Sequence, residues 1–286
     1  MKMTPSGKTA VYGVMGDPIE HTLSPAIQNA AFEALKLDAV FLAFKVTTSE
    51  AENAIRGMRG LGIRGLNVTM PDKSAVIPFL DEMDETAKFL DSVNTILNDN
   101  GKLRGFSTDG AGAHRALEEN GVTLSSKKLV LLGAGGAAKA IAYTLAKEVN
   151  ELVLLNRTPA KTDALAKAIN QKFHKKVTSG PLSPSAIQQN LQTADILINA
   201  TSVGMHPHAV ESLVKPEWLK PSLSVMDIVY NPLETKLAKD AKAAGAHVIS
   251  GVETLIYQGA ASFEIWTGKS APIEVMRKAA LKQLQQ

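Results

Sequence analysis

Lys128-Leu129-Val130-Leu131-Leu132 runs without a break into Gly133-Ala134-Gly135-Gly136-Ala137-Ala138, and this junction limits the possible folds more than any other stretch. The apolar run reads as a buried strand. The residues after the glycines, with Ala140, Ile141 and Leu145 on one face, read as a helix from Lys139 to Glu148. Strand, tight turn and helix together form a dinucleotide-binding fingerprint of the G-x-G-x-x-A type. Gly133 permits the turn, Gly135 lets the backbone approach a pyrophosphate, and Ala138 lets the helix lie close to the strand. The helix start offers free N–H groups and the positive end of its dipole to phosphate oxygens.

Glycine-rich turns also serve purely structural ends, so the neighbouring residues carry the argument. A second apolar run, Leu152-Val153-Leu154-Leu155, ends at Asn156-Arg157-Thr158. That is about 20 residues past the glycines, where an NAD-binding chain places an acid for the ribose hydroxyl. This chain has no acid there. Arg157, with Lys161 one helical turn later, suits a 2′-phosphate instead. As plain surface cations at a helix start they would oppose the dipole. The expected cofactor is NADP.

A chain of 286 residues has room for two domains, and 45% apolar with 21% charged residues is an ordinary globular composition. A net charge of +3 is too small to argue for nucleic acid. The absence of cysteine excludes disulfides, thiolate metal sites and a cysteine nucleophile. No apolar run reaches the length of a membrane span, and Met1 to Lys8 lacks the apolar centre of a signal peptide. A cytoplasmic protein with no membrane partner is expected. No H-x-x-x-H spacing falls on an expected helix, so no metal is expected.

Before the glycine turn, Thr9 to Gly16 reads as a strand, followed by a loop with Thr22 and Ser24. Ser24-Pro25 has the form of an N-cap and a first-turn proline, opening a helix to about Leu37. The alternative is that the two hydroxyls, beside a helix start, bind a small carboxylate. Strands at Ala39–Val46 and Ile63–Thr69 with a helix between them imply a parallel-type α/β sheet. A helix is expected from Pro71, with Lys73 in its first turn. A solvated surface lysine is the commoner explanation of any single lysine. The alternative is that a cation opposing the dipole there has its neutral amine favoured, which suits a proton donor or acceptor. Asp84 to Leu90 reads as a short helix, and Asn100-Gly101 as a hairpin turn between two strands. Asp109 has a structural reading as N-cap of the helix to Asn120. Past the glycine turn, Asp195 to Ala200 reads as a strand ending in Thr201-Ser202-Val203-Gly204-Met205, where a ligand belongs in an open α/β sheet. Met205 is either core or a flexible rim group packing on a flat ring. Gln258 sits on a mostly apolar helix, either facing solvent or donating to a bound hydroxyl.

With these blocks assembled, the chain resembles the shikimate dehydrogenase family along nearly its whole length. The resemblance rests on Gly16–Asn29, Asn67-Val-Thr-x-Pro-x-Lys73, Val93-Asn94-Thr95, Ser107-Thr108-Asp109-Gly110, Gly133–Ala137, Asn156-Arg157-Thr158, Asn199–Met205, Asp227-Ile-Val-Tyr-Asn-Pro232, and Gly251 with Gln258. It implies reversible reduction of 3-dehydroshikimate to shikimate with NADPH, on the route to chorismate and aromatic amino acids. It also implies two α/β domains: a discontinuous substrate-binding domain (1–109 and 252–286) and a Rossmann NADP-binding domain (110–251), with the active-site cleft between them. Lys73 and Asp109 are the implied catalytic pair. Thr22, Ser24 and Tyr230 would hold the substrate carboxylate, and Asn67, Thr69, Asn94, Asp109 and Gln258 its ring hydroxyls. Gly133, Ala134, Gly135, Gly136, Ala137, Asn156, Arg157, Thr158, Lys161, Thr201 and Ser202 would hold the cofactor. Glu85, Met205, Ile228 and Gly251 would line it or close the cleft. A small-molecule substrate is the expected partner, with a homodimer allowed for.

The residue types suit that chemistry. Hydride transfer to a ketone develops an alkoxide, which needs a proton and a positive group aimed at the oxygen. A lysine supplies both, and a neighbouring aspartate orients it. Two positions depart from the family pattern. Thr22 stands where the family usually has Ser, which raises a quinate/shikimate dehydrogenase of relaxed specificity as an alternative. Val252-Glu253-Thr254 stands before the Leu where the family more often shows Gly-Met. A non-catalytic NADP-binding regulatory module would leave Lys73 and Asp109 unexplained.

Overall fold

The computed structural model describes residues 4–69 and 73–285. The chain divides into two compact units, Met1–Asp109 with Ile256–Gln286, and Gly110–Leu255.

The first unit contains β1 (Ala10–Gly16), α1 (Ser24–Ala34), β2 (Ala39–Lys45), α2 (Ala51–Gly60), β3 (Gly65–Val68), β4 (Glu82–Met83), α3 (Glu85–Leu90), β5 (Thr95–Asp99) and β6 (Lys102–Phe106). They form one sheet of order β2-β1-β3-β5-β6-β4. β1 pairs in parallel with β2 and β3, as the intervening helices require. These strands, joined through α1 and α2, are parallel as the strand–helix alternation implies, while β5 runs antiparallel to β3 and to β6 and makes the sheet mixed. The antiparallel pairing of β5 with β6 comes from the Asn100-Gly101 turn. Both residues hold positive φ, 53° and 94°, the geometry of a two-residue hairpin, and the chain doubles back there.

One core of this unit gathers Met15, Ile55, Met58, Leu66, Val68, Val76, Ile96 and Leu103. The C-terminal helices return to the opposite face of the sheet: α9 (Gly251–Thr267) brings Trp266, whose indole N–H donates to Ile96 O at 3.0 Å and whose ring lies 5.5 Å from that of Tyr12. α10 (Ile273–Leu284) packs beside α1. The edge strand is partly closed by α1. Asn29 donates to Phe41 O at 2.9 Å and accepts from Phe41 N at 2.8 Å, which satisfies backbone groups that a bare edge would leave open.

The boundary falls after the first residue of α4 (Asp109–Glu119), and the second unit continues through β7 (Lys128–Leu132), α5 (Gly136–Leu145), β8 (Glu151–Asn156), α6 (Pro159–Phe173), β9 (Lys176–Pro181), α7 (Pro184–Leu191), β10 (Ile196–Asn199), β11 (Ser224–Asp227), α8 (Lys236–Ala243) and β12 (His247–Ile249). Its sheet is parallel throughout, in the order β12-β11-β10-β7-β8-β9. Leu129 to Leu132 are fully buried, as expected of a central strand covered on both faces. The strand order reverses between β7 and β10. This is the doubly wound arrangement, with its ligand crevice at the switch point.

The helix start expected at Pro71 lies outside the described residues. From Lys73 to Val76 the chain forms a turn, then a single 3₁₀ turn at Ile77–Phe79, and not the α-helix the sequence had suggested. Pro78 is the physical reason, since its ring and missing N–H break a helix passing through it.

Candidate active site

Asp109, the first residue of α4, joins its two carboxylate oxygens to two different partners. Lys73 Nζ lies 2.5 Å from Oδ2, and Asn94 Nδ2 donates to Oδ1 at 2.7 Å. The Lys73 and Asp109 side chains are 23% and 18% exposed, so the pair is sheltered but reachable from solvent. The carboxylate is therefore engaged in the ion pair, not in capping α4. Lys73 is held by this partner, and the dipole argument for it lapses with the missing helix.

Behind the pair stands a buried polar network. Asn94 also donates to Thr108 Oγ1 at 3.0 Å, which occupies its second N–H, and its Oδ1 accepts from Thr108 N at 2.8 Å. Asn67 Nδ2 lies 3.1 Å from Asn94 O, 3.1 Å from Thr95 Oγ1 and 3.0 Å from Ser262 Oγ. Ser262, on α9, donates to Gln258 O at 3.1 Å and lies 2.8 Å from Thr95 Oγ1. The structure thus links Lys73, Asp109, Asn94, Asn67 and the backbone of Gln258 in one chain of hydrogen bonds. Sequence reasoning missed Ser262 and the supporting roles of Thr95 and Thr108. A lone serine in an apolar helix carries no signal until a strand is seen to face it.

α1 begins at Ser24 with Leu23 as N-cap, and no side-chain cap forms. The capping role that would have explained Ser24 is absent. Ser24 N donates to Thr22 Oγ1 at 3.3 Å, so the two hydroxyl-bearing residues share one turn at a helix start, both half-buried. Thr69 is placed by its backbone, N–H to Met15 O at 3.0 Å. Glu85 is exposed at the first position of α3, and the cap of that helix is Asp84, accepting from Ala87 N at 2.8 Å.

In the second unit the glycine turn has the shape its sequence demands. Gly133 has φ +112°, and a Cβ there would lie 2.7 Å from Ala200 O. Gly135 and Gly136 instead face open space, and α5 starts with Gly135 as N-cap and no side-chain cap. The N–H groups at this helix end therefore remain available to an anion. β8 ends at Asn156, whose Nδ2 donates to Thr158 O at 3.0 Å and shapes the following turn. Arg157 and Lys161 are exposed and have no ion-pair partner among the described residues. Room beside the glycines, unsatisfied donors and two uncommitted cations fit a dinucleotide carrying a 2′-phosphate.

On the other side of β7, the ends of β10 and β11 carry Thr201, Ser202, Met205, Ile228 and Tyr230. Met205 is 45% exposed, a rim position and not a core one. Burial pushes the Tyr230 phenol above its ordinary value. Gly251 admits no side chain, because a Cβ would lie 2.7 Å from Asp227 O and closer still to Val229 O. Thr254, at the departure from the family pattern, turns its hydroxyl to Met226 Sδ at 3.7 Å. His114, Glu118 and Glu148 form a polar cluster, with the two ring nitrogens 3.2 Å and 2.7 Å from separate carboxylates.

Three family models match in chain order: shikimate dehydrogenase substrate binding domain over residues 14–96, shikimate/quinate 5-dehydrogenase over 114–238, and shikimate 5′-dehydrogenase C-terminal domain over 251–281. An NADP(+) shikimate dehydrogenase of Methanopyrus kandleri is 46% identical over 280 residues, covering 97% of each chain. A crystal structure of a shikimate dehydrogenase with NADP+ superposes with a TM-score of 0.92 at 43% identity, covering 99% of this chain and 98% of the other. The Listeria monocytogenes shikimate 5-dehydrogenase, solved with shikimate and NAD, gives 0.92 at 36% identity, covering 97% and 98%. With near-complete coverage at such identity, on the fold and polar network described above, the chain belongs to the shikimate dehydrogenase family.

Proposed function

We propose that the protein is an NADP-dependent oxidoreductase that reversibly reduces 3-dehydroshikimate to shikimate. The observation that carries this reading is the Lys73–Asp109 pair, with its carboxylate fixed from behind by Asn94. When bound, NADPH supplies a hydride to the substrate ketone. The glycine turn and α5 N-terminus would hold its pyrophosphate, and Arg157 with Lys161 its 2′-phosphate. Asn156, Thr158, Thr201, Ser202, Met205, Ile228, Gly251 and Glu85 are proposed to line the cofactor.

The protein's own groups manage the proton. Lys73 donates to the oxygen that gains charge, and its ammonium stabilises that charge while it forms. Asp109 keeps Lys73 oriented and accepts from the neighbouring ring hydroxyl. Asn94 has both N–H groups committed, so its proposed effect on substrate passes mainly through Asp109. Asn67, Thr69 and Gln258 are proposed to hold ring hydroxyls, and Thr22, Ser24 and Tyr230 the carboxylate. For Ser24, support comes from the hydroxyl left free of a capping role. The first unit is accordingly proposed to bind substrate and the second to bind NADP, in the cytoplasm, where NADPH is kept reduced. Rising absorbance of the reduced nicotinamide on adding shikimate and NADP to the purified protein is the expected result. A flat trace with folded protein would contradict the proposal.

A further inference from the structure

Asp227, at the end of β11, is 3% exposed and takes no part in the chemistry proposed above. Its Oδ1 accepts from Asn199 Nδ2 at 2.9 Å and from Val229 N at 3.1 Å, and its Oδ2 accepts from Thr235 Oγ1 at 2.7 Å. Each donor belongs to a different segment. Asn199 ends β10, and its Oδ1 accepts from Thr201 Oγ1 at 2.7 Å and Thr201 N at 3.2 Å. Val229 lies between Ile228 and Tyr230. Thr235 caps α8 by accepting from Ala238 N at 3.2 Å.

Burial pushes this carboxyl above its ordinary value while its three hydrogen bonds oppose the rise, and an apolar side chain here would take the acceptor away from all three buried donors. What the carboxylate adds is a fixed arrangement of three segments. Sheet order gives those segments a meaning. β10 and β11 lie on one side of β7, and β8, which ends at Asn156 just before Arg157, lies on the other. The phosphate turn after β7 therefore separates an adenosine side from a nicotinamide side.

We propose that Asp227 is a positioning residue for the nicotinamide half of the cofactor, clamping the Thr201–Met205 loop and the Ile228–Tyr230 segment against each other. The inference rests on the NADP reading above. It predicts a split between ligands. Asp227→Ala raises KM for NADP and lowers kcat by about tenfold each, the scale of a small misplacement of reacting groups. The same variant binds 2′,5′-ADP, which carries the adenosine and 2′-phosphate but no nicotinamide, within about twofold of wild type, as a distant independent site should. Asp227→Asn keeps an acceptor for Asn199 and Val229 and restores both parameters.

Asn199→Ala, which leaves the carboxylate but releases the Thr201 loop, follows Asp227→Ala in the same split and carries the comparison if Asp227→Ala fails to fold. Equal weakening of NADP and 2′,5′-ADP, unchanged kinetics, or misfolding of both variants overturns the inference. Wild-type protein that binds neither ligand overturns instead the NADP reading beneath it.

Discussion

Asn94 donates to Oδ1 of Asp109 at 2.7 Å, so the carboxylate meets Lys73 through its other oxygen, Oδ2, at 2.5 Å. An aspartate with one partner could rotate about its side-chain bonds. Held at both oxygens it has one orientation, and the ammonium of Lys73 is aimed by it. Pre-set geometry of this kind is what a proton-transfer group requires.

Lys73→Ala removes the proposed proton donor together with its charge. The expected loss in kcat is about 10³-fold or more, with folding little changed because the side chain is partly exposed. Steady-state rates with NADP and shikimate, alongside a thermal melt, check both parts. Turnover near wild type would remove Lys73 from the mechanism.

Asn94→Ala leaves Thr108 N and Asp109 Oδ1 without their partner in a site that is 4% exposed at position 94. The expected cost to stability is about 1–3 kcal/mol, the range for orphaned buried polar groups. Denaturant unfolding measures it. Activity should fall as well, since Asp109 is then free to turn. Full stability with full activity would mean that the network merely fills space.

Arg157→Ala should separate the two nicotinamide cofactors. A charge-assisted contact to the 2′-phosphate is worth about 1.5–3 kcal/mol, or roughly 10- to 150-fold in affinity, and NAD has no such group to lose. Titration calorimetry with NADP and NAD on both proteins decides it. Equal weakening of the two would place Arg157 away from the phosphate.

Thr22→Ser removes one methyl group beside the proposed carboxylate site. The expected outcome is a changed ratio of kcat/KM between shikimate and quinate, within the roughly 10- to 200-fold that one extra carbon can contribute. An unchanged ratio would exclude Thr22 as a determinant of substrate choice.

Burial raises the Asp227 carboxyl above its ordinary value of 3.8, against the opposing pull of its three hydrogen bonds. The folded chain then holds this proton more tightly than the unfolded one. Its contribution to stability is present in acid and is lost as pH rises from 3.8 through the raised folded value. Asp227→Asn has no such proton. Wild-type minus variant unfolding free energy, from urea curves between about pH 3 and about pH 7, should fall across that window and then level off. A difference that grows with pH would mean the folded carboxyl is held below its ordinary value.

The strand–glycine–helix junction at Lys128–Ala138, the Asn100-Gly101 hairpin and the uncommitted cations after β8 could all be read from the sequence. Each is local: a run of apolar residues, a pair of turn residues that tolerate positive φ, a charge where an acid would otherwise stand. Their physics is complete within a dozen neighbours. Other features required the fold. The mixed pairing of β5 depends on which strand the hairpin meets, and the loss of a helix after Lys73 depends on Pro78 outweighing the apolar pattern around it. That Ser24 and Asp109 spare their side chains from capping is settled by partners far along the chain or by the exact helix start. Ser262 lies 195 residues from Asn67, yet one hydrogen bond joins them. Sequence can nominate the residue types able to hold a proton or a phosphate. Only tertiary packing decides which of them lose solvent, which find a partner, and so which are fixed in one orientation.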